Sequence, residues 1–383
     1  MPNPPPPADV APRRLLVRGV NWLGDSVMTT PALQRLREFL PEAHISLLAP
    51  GKLAELWRGH PSVNAVLSFE RSESPWCVAN RLRSEGFDCA LVLPNSPRAA
   101  LEVWLAGIPR RIGYARPWRN WFLTARVAPR AGRVRMRKRS VREIHRLVRA
   151  TSAGPSLAPR GPSSSAHQLH EYLHLAAALG ASAEPLPPRL AVDAREVQAA
   201  ASKFGLDASR AGDRPLLALN PGAEYGPAKR WPTDRFVAVA REVQKRTRCA
   251  WLLLGGESDV PLANEIYSAL SMPTFELQNL AGKTSLRELM ALVKLCRALL
   301  TNDSGPMHVA AALATPVVVP FGSTSPELTG PGLPGDVRHR LLRAEVPCAP
   351  CFRRSCPIDF RCMTGISVEQ VVAAVMAAVT EHR

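Results

Sequence analysis

The sequence predicts an α/β protein built from two Rossmann-like domains facing across a cleft. Three observations lead there. The chain has 383 residues, which favours two domains over one. Short apolar runs alternate with stretches of helical spacing, and this alternation occurs twice over. Between the two series lies PLPPRL, a proline-rich linker.

The first series opens with RRLLVRGV, a short apolar strand ending near Val20. NWLGD forms the turn, and SVMTTPALQRLREFL has apolar residues spaced near 3.6. ISLLAP, AVLSFE and CALVLPN are further strands, with helical stretches between them, as in a parallel sheet. Gly132 to Ala166 breaks the rhythm: it starts basic and ends as ATSAGPSLAPRGPSSSA, which lacks any core-forming pattern. A mobile, exposed insertion near 133–166 is expected. HQLHEYLHLAAALG resumes a helix, stopped by Gly180.

The second series has PLLALNPG, AWLLLGG, RALLT and PVVVPFG as strands. The helix from Thr233 reads as Thr-capped after Pro232, and Ser367 to Thr380 as a closing helix. The expected organisation is a disordered proline-rich leader (1–12), an N-terminal domain (13–187), a C-terminal domain (188–366) with a Cys-rich loop at 348–362, and the closing helix (367–383). Ligands in such sheets bind beyond the carboxyl ends of the strands.

Composition narrows the class. Hydrophobic residues make up 46%, enough for sizeable cores. No run of about 18 apolar residues exists, so no membrane span is expected. The N-terminus lacks a signal-peptide core, and a cytoplasmic chain with reduced thiols is expected. The formal charge is +17, and between Arg110 and Arg160 stand 15 Lys or Arg against the single acid Glu143. Such a patch attracts polyanions: nucleic acid, an anionic membrane or a phosphorylated substrate. A solvated loop is the competing reading.

Four constellations carry chemistry. In TNDSGPMHVAAALATPVVVPFG, a strand ends in Asn302, Asp303, Ser304 and Gly305 just before a helix. The free N–H groups and dipole of that helix start suit a phosphate. Asp303 would accept hydrogen bonds from ligand hydroxyls or cap the helix; His308 would reach the ligand or fill the cleft. NPGAEYGPAKRWP, Asn220 to Pro232, is a Gly-containing turn delivering Lys229 before a helix. A lysine there would stabilise a departing diphosphate; a basic surface loop is the alternative. The spacing is not that of a Walker loop. Glu257, in LLLGGESD, would hold ribose or base groups, unless it or Ser258 caps a helix. Asp25, in RGVNWLGDSVMTTPAL, lies at the mouth of the first strand and would take a proton from an attacking hydroxyl, unless it is an N-cap. Together the four describe transfer of a group from a nucleotide to a hydroxyl.

NWLGDSVMTTPAL, PGAEYGPAKRWP and NDSGPMHVAAALATPVVVPFGSTSPELTGP resemble the lipopolysaccharide heptosyltransferases, type II in particular, nearly position by position. The resemblance runs from about Arg14 to the C-terminus. It implies GT-B architecture, with an N-terminal acceptor-binding domain and a C-terminal ADP-sugar-binding one. It implies inverting transfer of L-glycero-D-manno-heptose from ADP-heptose to the first heptose of the inner core, carried on Kdo and lipid A. Asp25 matches the general base, Lys229 the diphosphate contact and Glu257 the nucleoside contact. Asp303, Ser304, Gly305 and His308 match the grip on the ADP-sugar. Asn21, Gly24, Gly222, Ala223, Glu224 and Asn302 complete the expected substrate-binding set. No cofactor is implied, and no motif pairs carboxylates as a divalent ion beside the diphosphate would require. The chain departs from the family pattern near 133–166. There the basic run, with Trp118, Trp121 and Phe122 nearby, is expected to rest on the cytoplasmic face of the inner membrane or on acceptor phosphates.

Cys348, Cys351, Cys356 and Cys362 form C-x2-C-x4-C-x5-C. The cluster admits a structural zinc, an iron–sulfur cluster, disulfides or free thiols. The other cysteines, Cys77, Cys89, Cys249 and Cys296, read as buried small apolar residues. Two other classes compete for the whole chain. A sequence pI near 10.3 suggests a nucleic-acid binder, but the charge is confined to one stretch with aromatics only at its leading edge, so no nucleic-acid partner is expected. The second is another GT-B sugar-nucleotide enzyme: an epimerase, a type I heptosyltransferase or a transferase with a different donor.

Overall fold

A computed structural model describes residues 11–151, 164–206, 214–272 and 275–381. The chain divides into two compact units: Met1–Arg133 with Gln168–Ala191, and Val134–His167 with Val192–Arg383.

The first unit holds a six-stranded parallel sheet: β1 (Arg14–Arg18), β2 (His44–Pro50), β3 (Ala65–Phe69), β4 (Cys89–Val92), β5 (Arg110–Tyr114) and β6 (Ala125–Val127). The order is β3-β2-β1-β4-β5-β6, which reverses direction between β1 and β4. Such a reversal opens a crevice at the carboxyl ends of the strands. β1 is the central strand: Val17 sits between Leu47 and Leu91, and its residues Leu15 to Val17 are fully buried. Helices cover both faces of a parallel sheet, so its middle strands read as continuous apolar runs.

The second unit repeats the plan with β7 (Leu216–Asn220), β8 (Ala250–Leu253), β9 (Leu277–Asn279), β10 (Ala298–Thr301), β11 (Val317–Phe321) and β12 (Arg340–Arg343). Its order is β12-β11-β10-β7-β8-β9, so the reversal falls between β7 and β10, with Asn220 level with Thr301. Its core gathers Phe236, Val239 and Val243 of the Thr233–Thr247 helix with Val371, Val372 and Val375 of the Val368–Thr380 helix. The latter is started by a capping box, in which Ser367 accepts from the Gln370 amide at 3.3 Å and Gln370 accepts from the Ser367 amide at 2.9 Å.

Several expectations change. The expected Thr cap at the Thr233–Thr247 helix is absent: Pro232 is the capping residue, with no side-chain cap, and Thr233 is already helical. β5, β6, β9 and β12 were not anticipated, because RRIGY, ARV, LQN and RLLR are charged or too short to stand out. Residues 134–151, expected as a mobile part of the N-terminal domain, belong with the second unit. The helix Val141–Thr151 forms there, with Ser140 Oγ accepting from the Glu143 amide at 3.1 Å and Ile144 buried against Cys348 and Cys351. The Arg139 amide donates to Cys351 at 3.0 Å, and its guanidinium to Pro347 at 3.0 Å. Residues 152–163 of the expected insertion and 1–10 of the expected leader lie outside the described residues.

The basic stretch is also not wholly a surface. Arg119 is fully buried and donates to the Pro94 carbonyl at 2.5 Å, beneath Gly113, where a Cβ would come within 2.7 Å of its guanidinium. Arg111 donates to the Phe122 carbonyl at 2.7 Å.

One charged network holds the first unit beneath the loop after β1. Arg18 is 2% exposed and Glu102 is 0%. Arg18 Nε donates to Glu102 at 2.8 Å, Arg98 Nε donates to its other oxygen at 2.8 Å, and the Arg18 guanidinium lies 4.2 Å from the Phe69 ring centre. Burial lowers the Arg18 pKa and the Glu102 carboxylate opposes that. Truncating one partner strands the other's charge in the core. Glu102→Leu is expected to lower stability by about 3–5 kcal/mol, read from urea denaturation, with Glu102→Gln milder because it keeps one acceptor. An unchanged midpoint for Glu102→Leu would refute this.

Candidate active site

In the second unit the reversal point collects two loops. The first leaves β7 at Asn220. Gly226 there has φ +145°, and a Cβ would come within 2.6 Å of the Arg354 carbonyl, so only glycine fits. The 3₁₀ turn Pro227–Lys229 follows, its Ala228 amide bound to the Arg354 carbonyl at 2.9 Å. This turn aims Lys229 back across the strand ends. Its Nζ lies 2.6 Å from Asp303 Oδ2 and 4.8 Å from the Tyr225 ring centre.

The second loop leaves β10 at Thr301. Asp303 is 3% exposed and takes the Thr324 hydroxyl as well as Lys229. It does not cap the Gly305–Ala312 helix. Ser304 is the capping residue and makes no side-chain cap bond; Pro306 has no N–H and the Met307 amide donates to the Ser304 carbonyl at 3.2 Å, so the Gly305 amide is the donor of that turn directed at a ligand. Ser304 and Gly305 are half-buried at that helix start. Asn302 is fully buried and holds the two loops together: its Oδ1 accepts from the Trp231 amide at 2.9 Å, and its Nδ2 donates to the Pro221 carbonyl at 2.7 Å. Both ends of that amide bond the backbone, so Asn302 fastens the loops.

The remaining second-unit residues fall around these loops. Gly222 and Ala223 are buried, and a Cβ on Gly222 would meet the Asp259 carboxylate at 2.3 Å. Glu224 is exposed on the β7 loop, and Glu257 is exposed in the turn after β8. Glu257 is not a helix cap; the Asp259 carboxylate takes the Gly256 amide at 3.1 Å instead. His308 is buried behind Asp303. Burial is the main reason its pKa falls to about 3; Asp303 opposes the fall, while His167, Lys229 and His339 reinforce it. The ring is therefore neutral at ordinary pH.

In the first unit, Asn21 is exposed and Gly24 and Asp25 are half-buried after β1. Asp25 lies in the first turn of the Leu23–Met28 helix, whose capping residue is Trp22 with no side-chain cap. Asp25 is thus not the cap. It sits where the helix dipole favours a negative charge. Gln168 Nε2 donates to Asp25 Oδ1 at 3.1 Å and to Tyr172 Oη at 2.8 Å.

Of the readings open for the Cys cluster, the described residues show free thiols. Cys348, Cys351, Cys356 and Cys362 line one small cavity with Ile144 and Ser323, and all are free thiols. Among the described residues no three His, Cys, Asp or Glu are arranged to hold a metal ion. Burial raises the pKa of Cys348 and Cys351, and that of Cys362 to about 12, with the neighbouring cysteines adding to the rise. Cys348 and Cys351 serve as core for the Val141–Thr151 helix.

Sequence reasoning missed Thr324, Gln168, Tyr172 and the Arg18–Glu102 pair. Only Thr324 carried a signal, a hydroxyl run (FGSTS) just past β11.

Comparison with known proteins fits this geometry. The family described as glycosyltransferase family 9 (heptosyltransferase) matches residues 156–360. Lipopolysaccharide heptosyltransferase 2 of Salmonella typhimurium is 32% identical over 326 residues, 83% of this chain and 85% of the relative. Lipooligosaccharide heptosyltransferase 2 of Haemophilus influenzae is 30% identical over 87% of this chain and 90% of the relative. The solved structure of the Escherichia coli ADP-heptose lipopolysaccharide heptosyltransferase II matches with a TM-score of 0.75 at 29% identity, covering 96% of this chain and 99% of that one. This likeness sets the fold class as α/β of the GT-B type.

The depressed His308 pKa has a consequence for stability. The unfolded chain's histidine binds its proton near pH 6.5, whereas the folded ring resists it down to about 3. The contribution is full above pH 6.5 and declines as pH falls from about 6.5 towards 3. His60, pushed down to about 4 by burial, acts in the same direction in the first unit. Urea midpoints are expected to drop between pH 7 and pH 5, and His308→Gln to flatten part of that slope. A pH-independent midpoint over this range would contradict the buried neutral ring.

Proposed function

The chain belongs to glycosyltransferase family 9, the heptosyltransferases, and we propose that it works as a type II heptosyltransferase. In this reading it moves L-glycero-D-manno-heptose from ADP-heptose to the first heptose of a heptosyl-Kdo2-lipid A acceptor, with inversion. The observation that carries the reading is the Lys229–Asp303 pair at the reversal point of the second sheet, beside a helix start with no side-chain cap.

The chemistry divides between the units. As the acceptor oxygen forms its bond to the heptose anomeric carbon, the acceptor proton passes to Asp25. The bond from that carbon to the β-phosphate oxygen breaks, and its electron pair leaves with ADP. Lys229 and the Gly305 amide at the start of the Gly305–Ala312 helix meet the charge that builds there. An arriving diphosphate competes with Asp303 for Lys229, which frees the Asp303 carboxylate for sugar hydroxyls. In this reading Glu257 holds the nucleoside, and Asn21, Gly24, Gly222, Ala223, Glu224, Ser304 and Gly305 act as substrate contacts. Lysine and amide supply the positive charge, so we read the transfer as metal-independent.

A lipid-borne acceptor places the enzyme peripherally on the cytoplasmic face of the inner membrane. Among the described residues no helix is long and apolar enough to cross a membrane. Trp118 and Trp121 are 83% and 84% exposed. On the Val141–Thr151 helix, Arg142, His145, Arg146 and Arg149 recur at helical spacing and line one exposed hollow, while Ile144 anchors the opposite side. A fixed basic stripe of this kind suits lipid phosphates.

Release of ADP is expected with ADP-heptose plus mono-heptosylated core, and not with UDP- or GDP-sugars. A different preferred donor would move the protein to another GT-B activity. Asp25→Asn is expected to leave ADP binding intact and lower turnover about 10²-fold or more. Lys229→Ala should weaken both binding and turnover. Near-wild-type turnover in Asp25→Asn would remove the base from this scheme.

Membrane contact is checked separately by co-sedimentation with phosphatidylglycerol vesicles. Replacing Arg135, Lys138, Arg142, Arg146 and Arg149 with glutamine is expected to lower the bound fraction severalfold at about 0.1 M salt. Unchanged binding would rule out the basic stripe as the contact.

A further inference from the structure

Gln168 is the residue at the start of the Leu169–Ala177 helix, and it reaches the loop that carries Asp25. The two are 143 positions apart in sequence. Gln168 Nε2 lies 3.1 Å from Asp25 Oδ1 and 2.8 Å from Tyr172 Oη. A primary amide carries two N–H donors on its nitrogen. Here both point at oxygens. Rotating the amide by half a turn would set its carbonyl oxygen against the Asp25 carboxylate, acceptor against acceptor. The amide therefore has one workable orientation.

Tyr172 makes that orientation rigid. The phenol is 6% exposed, one helical turn beyond Gln168. Its pKa is driven well above the usual tyrosine value, first by burial and then by the negative charge of Asp25. It stays protonated, and its position is fixed by the packing of the helix. Leu169 and Leu173, on the same helix, are likewise buried. The order of dependence runs from the packed helix to Tyr172, from Tyr172 to the Gln168 amide, and from that amide to the plane of the Asp25 carboxylate.

We propose that Gln168 is a positioning residue for the transfer step: with Tyr172 behind it, it holds the Asp25 carboxylate in the orientation that accepts the acceptor's proton. The proposal rests on the reading of Asp25 as the base. A base serves well only when its oxygen already points at the hydroxyl, and loss of orientation by about 1 Å can cost up to about 10²-fold in rate. Gln168 touches no reacting atom in this scheme. Its effect must run wholly through Asp25, which makes it separable from a fold-supporting role.

The test is a double-mutant cycle on turnover by ADP release, with donor KM and thermal midpoint recorded for each protein. Gln168→Leu is expected to lower kcat about 10- to 50-fold while donor KM changes less than about twofold. Gln168→Asn, too short to reach both oxygens, should behave alike. Tyr172→Phe, which keeps the ring and loses one acceptor, should show a smaller loss. In the Asp25→Asn background, Gln168→Leu should change the residual rate by less than about twofold, because the group it orients no longer takes the proton. Wild-type kcat in Gln168→Leu would overturn the proposal. So would losses that multiply across the cycle, or a kcat loss matched by a rise in donor KM and a fall in midpoint. Near-wild-type turnover in Asp25→Asn alone would instead remove the base reading, and this inference with it.

Discussion

Asp303 imposes the constraint around which the second unit is arranged. A carboxylate that is 3% exposed needs polar partners, since stripping water from an isolated charge costs several kcal/mol. Lys229 and the Thr324 hydroxyl are those partners. They come from the loops after β7 and β11, so the carboxylate after β10 draws three strand ends together. Asn302, its neighbour, ties the loop after β10 to the loop after β7 through bonds to the Pro221 carbonyl and the Trp231 amide. Polar contacts, rather than apolar packing, therefore set the shape of this corner. Such contacts can be exchanged for a ligand's without unfolding anything, as an apolar seam could not.

The parallel topology explains why the chemistry collects where it does. Neighbouring strands beside a reversal send their following helices to opposite faces, leaving the strand ends open between them. β1 and β4 make that opening in the first unit, β7 and β10 in the second. Each opening is lined by the loop after the first strand of its unit: Asn21 to Asp25 in one, Pro221 to Lys229 in the other. The two units share one plan and diverge in what the loop delivers, a carboxylate in one case and a cation in the other.

This division decides what was legible in the sequence. Asp303 lies two residues past β10, Asp25 seven past β1 and Lys229 nine past β7, so each could be singled out as a loop residue behind a buried strand. The central strands were legible for the same reason: RLLVR, LLALN and ALLT are nearly continuous apolar runs. The edge strands β6, β9 and β12 are half-covered, so their patterns dissolve into polar text. β5 lies inside the sheet yet begins with two arginines. What remained hidden were the partners. Gln168 meets Asp25, Thr324 meets Asp303 and Glu102 meets Arg18 across long stretches of chain, and no periodicity encodes such meetings. Asn302 was legible as a position but its backbone bonds were not, because both partners lie more than 70 positions away.

The basic segment shows how the fold revises a charge count. Fifteen cations between Arg110 and Arg160 suggest one loose polyelectrolyte. The fold sorts them. Arg119 is interior, Arg111 ties β5 to the Phe122 carbonyl, Arg130 and Arg133 pair with Glu171, and Arg139 is bound to the Cys-rich loop. Among the described residues, what stays in water is a shorter set that includes the stripe Arg142, Arg146 and Arg149. That stripe rides on a helix whose inner side is seated by Ile144 on Cys348 and Cys351. Cys348 and Cys351 thus have a packing role: small, buried thiols form the bed on which a cationic helix rests. A surface fixed in this way loses little conformational freedom when it meets an anionic partner, and a disordered tail of equal charge would lose much more.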